Sequence, residues 1–104
     1  MTIIRFLKKR ILQRKIFKLE VQIAKYLAIA KVEKQKALEF QSLIESHKRK
    51  AENGDGLALS FLRVRLSDWL ESSSIALANY AESQQLVENL NNQLATLYQK
   101  FNNL

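Results

Sequence analysis

The sequence contains no cysteine and no proline, only two glycines and a single histidine among its 104 residues. Without cysteine the chain can form neither a disulfide bond nor a thiolate metal site. Without proline nothing interrupts a helix from within. Both glycines lie in one short segment, Asn53-Gly54-Asp55-Gly56, with about fifty residues on either side. This composition predicts one sharp chain reversal, supplied by glycine, between two long helices.

Long hydrophobic runs are also absent. Near the N-terminus, Arg5 follows only two isoleucines, which leaves no continuous apolar core for a signal peptide and no segment long enough to span a bilayer. We therefore expect a cytoplasmic protein. There is no glycine-rich phosphate loop, no Ser-His-Asp set and no metal-ligand spacing, and His47 has no second histidine or carboxylate pair to work with. We expect neither a cofactor nor enzymatic activity of the chain's own.

Apolar residues repeat every 3.5 residues through both halves of the chain. From position 12 to position 51, ten of twelve seam positions are apolar, the exceptions being Glu33 and His47. From position 59 to position 104, twelve of fourteen are apolar. A strict 3.5-residue period is typical of a coiled-coil seam. The predicted fold class is all-α, a single antiparallel coiled-coil hairpin with helix 1 at about 2–52, a turn at 53–56 and helix 2 at about 57–103.

The first three turns of helix 1 do not fit this register. Extended backward, the seam meets Lys9 and Arg5, whereas Ile4, Leu7 and Ile11 lie about one position off. The pattern predicts either that the apolar stripe drifts around the helix here or that these turns splay away from helix 2. In this interpretation the three apolar side chains belong near the seam.

Positive charge is concentrated in the first third of the chain. The 17 lysines and arginines outnumber the 10 acids, for a net charge of +7. Residues 1–36 hold eleven bases and only two acids, which makes this segment +9. We expect a partner that is acidic where it meets helix 1.

Three groups of residues are candidate binding surfaces. The basic set is the start of helix 1 with two amides near the end of helix 2: Arg5, Lys8, Lys9, Arg10, Arg14, Lys15, Lys18, Gln99 and Asn102. The ridge is a line of apolar residues on the side of helix 1 away from the seam, represented by Phe17, Val21 and Val32. The tip set lies close to the turn and consists of Phe61, Val64 and Arg65.

In its basic start and its seam, the chain resembles the central-stalk proteins of type III secretion and flagellar export, the FliJ/SctO family, which are small, basic, cysteine-free antiparallel coiled coils. The resemblance covers the whole chain as architecture and depends on no diagnostic motif. It implies a stalk that enters the pore of a hexameric secretion ATPase, promotes its assembly and ATP hydrolysis, and approaches the export gate at its other end. It also implies escort of substrate chaperones.

Carried onto this chain, the resemblance places the basic set against acidic pore loops of the ATPase and the tip set toward the export gate protein. It implies a non-catalytic activator that is monomeric when isolated. Its location would be the cytoplasmic face of a membrane-embedded secretion apparatus, with only indirect membrane contact.

Two other classes of function remain open. Residues 2–12 read like an amphipathic helix at a membrane surface, although Ile4, Leu7 and Ile11 are needed near the seam. Nucleic-acid binding is disfavoured because the charged face lacks a set of aromatic residues for base stacking. The second class is a basic coiled-coil adaptor or chaperone that oligomerises through the ridge. Its mass in solution would distinguish it from a monomeric stalk.

Overall fold

The computed structural model describes residues 2–104 and contains two long helices. Helix α1 spans Thr2–Glu52 and helix α2 spans Gly56–Asn102. The helices are antiparallel, since Lys9 of α1 lies beside Phe101 of α2, and His47 of α1 lies beside Phe61 of α2. The all-α antiparallel hairpin predicted from the sequence is confirmed.

Contacts between Cα atoms divide the hairpin into two compact units, and each helix contributes to both. Unit 1 contains the described residues up to Ile29 together with Glu82–Leu104. Unit 2 is the continuous segment Ala30–Ala81, which includes the turn.

Helix α1 ends in a Schellman motif that depends on Gly54. Gly54 has a φ of 92°, the only positive φ among residues 2–104. Its amide donates to the carbonyl of Ala51 at 3.1 Å, and the amide of Asp55 donates to the carbonyl of Lys50 at 3.0 Å. These two bonds satisfy carbonyls that the end of the helix would otherwise leave without partners.

Helix α2 begins directly after this motif because Asp55 also serves as its N-cap. The Asp55 carboxylate accepts hydrogen bonds from the amides of Leu57, at 3.1 Å, and Ala58, at 3.2 Å. Asp55 therefore acts at both helix ends: its amide bonds to the end of α1, and its carboxylate caps the start of α2. Gly56 is already the first helical residue. Of the two glycines, only Gly54 uses its conformational freedom.

The seam of α1 follows the 3.5-residue period along the whole helix. Every described residue of α1 that is shielded from solvent lies on this period, from Lys9 to Ala51. In α2 the period also holds, except at Ser72, which is half-buried beside the seam, and next to the turn, where Ala58 is buried and the expected Leu59 is 40 % exposed. The tight reversal brings the N-terminus of α2 close to α1, which favours the small alanine in the interface.

Of the two alternatives expected for the first turns of α1, the drift of the apolar stripe is wrong. Ile4, Leu7 and Ile11 are 56 %, 51 % and 53 % exposed, while Lys9 occupies the seam position. The Lys9 ammonium lies 5.7 Å from the centre of the Phe101 ring. A lysine is tolerated there because its aliphatic stem packs on apolar surface and its charge is attracted to the ring face.

Part of the seam of unit 2 consists of small residues. Ala30, Ala37, Ser73 and Ala76 are all buried, Ala37 to 1 % exposure. The seam acid Glu33 reaches the edge of this region, where it accepts hydrogen bonds from Lys36, at 3.3 Å, and from Asn79 of α2, at 3.4 Å. The carboxylate therefore has partners on both helices, which lowers the cost of an acid in an apolar seam.

Candidate binding surfaces

Most of the basic set forms an exposed cationic surface on unit 1. Six of its bases are exposed: Arg5, Lys8, Arg10, Arg14, Lys15 and Lys18. The only ion pair among residues 2–104 joins Lys36 to Glu33, so no acid of the described chain neutralises any of these six. Their combined charge is available to attract an acidic partner, more strongly at low ionic strength.

The other three members of the basic set are placed differently. Lys9 is half-buried in the seam over Phe101 and is therefore part of the helix interface. Gln99 and Asn102 are exposed on α2. The 3.5-residue period places Gln99 on the side of α2 opposite the seam, so the structure does not bring it onto the cationic surface of α1.

The ridge is exposed as the sequence suggested, and it is accompanied by apolar residues that the sequence reasoning missed. Phe17, Val21 and Val32 are all more than half exposed. Ile3, Ile4, Leu7 and Ile11 are exposed as well, which adds an apolar surface at the start of α1. The 3.5-residue period of α1, continued backward without a shift, puts Lys9 on the seam. That continuation was the signal that could have predicted the exposure of these residues.

The tip set is exposed but partly anchored. Val64 and Arg65 face solvent, and Leu57, which is 74 % exposed, extends this apolar patch. The ring of Phe61 packs edge-on against His47, with 6.0 Å between ring centroids. His47 is itself held by Nδ1, which lies 2.8 Å from the carbonyl oxygen of Leu43. A carbonyl can only accept, so Nδ1 carries the hydrogen and His47 acts here as a packing residue.

In unit 1 a hydrogen bond closes one side of the seam. The Tyr98 hydroxyl donates to Glu20 Oε1 at 2.5 Å, which joins α2 to α1. This hydrogen bond, together with desolvation and the negative charge of Glu20, raises the pKa of Tyr98 above its usual 10.0. The phenol therefore keeps its proton, and the link between the helices, through the neutral pH range.

Within residues 2–104, no cluster of three or more histidine, cysteine or acidic side chains could hold a metal ion. In the same part of the chain, neither helix contains a segment long and apolar enough to cross a bilayer. No family model, no curated protein and no solved structure matches this chain.

Proposed function

We propose that this chain is the central stalk protein of a type III secretion system. It inserts into the pore of the hexameric secretion ATPase, promotes assembly of the hexamer and ATP hydrolysis, and links the ATPase to the export gate. The observation that most supports this proposal is the surface of six exposed, unpaired bases on one helix of a two-helix hairpin. The family assignment derives from the likeness in architecture and charge.

A hairpin of this kind can activate a ring enzyme without any catalytic group of its own. Two helices have no sixfold symmetry, so a hairpin in a sixfold pore contacts each subunit differently. Contacts that favour one subunit conformation over another shift the populations of those conformations. In this proposal, asymmetric contact is the source of the stimulation of ATP hydrolysis.

Charge brings the two partners together in this mechanism. The exposed bases, from Arg5 to Lys18, meet acidic loops of the pore, and long-range attraction accelerates docking at low salt. The tip set faces the export gate, and the ridge is the candidate surface for substrate chaperones. The complex lies at the cytoplasmic face of the secretion apparatus.

ATPase stimulation tests this proposal. The purified chain is added to the secretion ATPase of the same cell, and the hydrolysis rate is measured against chain concentration. We expect saturable stimulation that Arg10→Glu with Arg14→Glu abolishes, because both bases are exposed and reversal makes them repel an acidic pore. The control is Lys48→Glu with Arg63→Glu, which changes the net charge equally but lies in unit 2.

Circular dichroism must show that both double variants keep the helicity of the wild type. Equal stimulation by the two double variants would contradict the placement of the pore-binding surface. Absence of any hexameric ATPase when the chain is purified from its native cell would contradict the proposal as a whole.

A second candidate function is contact with an anionic membrane surface. It is favoured by the exposure of Ile3 and by that of Ile4 and Leu7, which the sequence reasoning had placed near the seam. Apolar side chains flanked by bases are typical of helices that lie in a lipid interface. In vesicle sedimentation, this function requires binding to anionic but not neutral vesicles, reduced by Ile4→Ser with Leu7→Ser and unchanged by the control Leu57→Ser.

A further inference from the structure

The two sides of the seam in unit 1 are not equivalent. On one side the Tyr98–Glu20 hydrogen bond and the contact of Lys9 with Phe101 bridge the helices. On the other side there is a series of solvent-open depressions between α1 and α2. We call these three depressions, which lie on the same side of the seam, the groove of unit 1.

The groove has the period of a coiled coil. Its three depressions are lined in turn by Arg5, Leu12 and Leu19, which are seven residues apart in α1. On α2, Leu104 lines the first two depressions and Leu97, seven residues earlier, lines the third. Seven residues of helix correspond to about 10.5 Å. The depressions therefore recur at the spacing at which a packed helix presents its side chains.

The walls of the groove are basic and its floor is apolar. Three depressions of about 360, 450 and 500 Å³ contain five bases and no acid in their lining. The bases are Arg5, Lys8, Lys15, Lys18 and Lys100. The leucines of the floor are only half-buried, whereas Ile16 in the same seam is buried. Two helices alone thus leave apolar surface of unit 1 partly in contact with water.

We propose that this groove binds an acidic amphipathic α-helix of another protein, which packs between α1 and α2 as a third helix. Its apolar residues, repeated every seven positions, fill the depressions, and its aspartates and glutamates lie against the lysines of the walls. Charge selects this occupant, because a second copy of the same basic surface would be repelled. The inference does not depend on the proposed function, since any acidic helix of this period fits the groove.

A synthetic peptide of three heptads provides the probe. It carries leucine at two positions per heptad and glutamate at the flanking positions, and a peptide of the same composition in scrambled order is its control. Binding of each labelled peptide to the full chain is measured by fluorescence anisotropy at low and at moderate salt. We expect the heptad peptide to bind at least about tenfold more tightly than the scrambled one, a difference of about 1.4 kcal/mol. Salt should weaken binding of the heptad peptide without removing the preference.

Two tryptophan substitutions on α2 locate the binding site. Thr96 lines the third depression, so Thr96→Trp fills the groove with a large ring. Ala95 is also exposed, but it lies about 100° around α2 from Thr96, on the flank away from the groove, which makes Ala95→Trp the matched control. We expect Thr96→Trp to weaken peptide binding by about tenfold or more and Ala95→Trp by less than about twofold, because only the ring at position 96 occupies the space that the bound helix needs.

Several outcomes would overturn the inference. Equal affinity for the two peptides would show that charge alone is recognised, and equal effects of the two tryptophans would show that the groove is not the site. A dimer of the free chain that Thr96→Trp disrupts and Ala95→Trp does not would identify a second copy as the occupant. Binding to anionic vesicles with the same sensitivity to Thr96→Trp would identify lipid. Stimulation of the ATPase is measured separately with Arg10→Glu and Arg14→Glu, which lie outside the groove, so the two proposals can fail independently.

Discussion

Alanine substitutions at the two glycines should change stability in opposite directions. At Gly54 an added Cβ meets no atom within 4 Å, so the effect is purely conformational. An L-residue in the left-handed region costs about 1–2 kcal/mol. Alanine also restricts the unfolded chain more than glycine does, and this offsets about 0.4–1 kcal/mol of the destabilisation. Gly54→Ala should therefore destabilise the hairpin by about 1 kcal/mol.

Gly56 is the matched comparison, because it also has open space around a built Cβ but has an ordinary helical φ. Gly56→Ala places a better helix former at the first position of α2. With no strain to offset the gain, it should stabilise the hairpin by about 0.4–1 kcal/mol.

Urea unfolding followed by circular dichroism measures both effects, and thermal unfolding gives an independent check. A change of 1 kcal/mol corresponds to roughly 4–8 °C in Tm for a chain of this size. Gly54→Asn should fall between the wild type and Gly54→Ala, since asparagine tolerates the left-handed region better. Changes of the same sign at both glycines would refute the assignment of the reversal to Gly54 alone.

Three further predictions concern individual contacts. Asp55→Ala removes the N-cap of α2 and should destabilise the hairpin by about 1 kcal/mol in urea unfolding; an unchanged midpoint would contradict the capping role. Ala37→Leu inserts a large side chain at a position that is 1 % exposed. It should cost about 1–3 kcal/mol, and wild-type stability would show that the helices separate freely there. Tyr98 has a raised pKa in the folded state, so its hydrogen bond to Glu20 stabilises fully below pH 10.0 and is lost as pH rises through the folded-state pKa. The stability difference between the wild type and Tyr98→Phe should be constant near neutral pH and shrink in alkali; a difference that stays constant in alkali would contradict the link.

Local sequence information was sufficient to determine the helices, the position of the reversal and most of the seam. Helix formation depends on contacts within four residues, so the 3.5-residue period and the absence of proline specify both helices directly. The same holds for the Asn53–Gly56 turn, because Gly54 and Asp55 act on neighbouring backbone groups. The concentration of bases in the first third of the chain was also readable from the sequence, since it requires no partner helix.

Only the tertiary structure determines which residues occupy the seam positions at its two ends and where the groove lies. The first turns of α1 could either bury Ile4, Leu7 and Ile11 or keep the seam register through Lys9. The sequence of these turns does not by itself decide between the two. The presence of Phe101 opposite Lys9 determines the choice, and that contact joins residues more than ninety positions apart. The choice between Ala58 and Leu59 depends in the same way on how closely α2 approaches α1 at the turn. The groove needs walls from both helices, with one side bridged by Tyr98 and Glu20, so it exists only once the hairpin has closed.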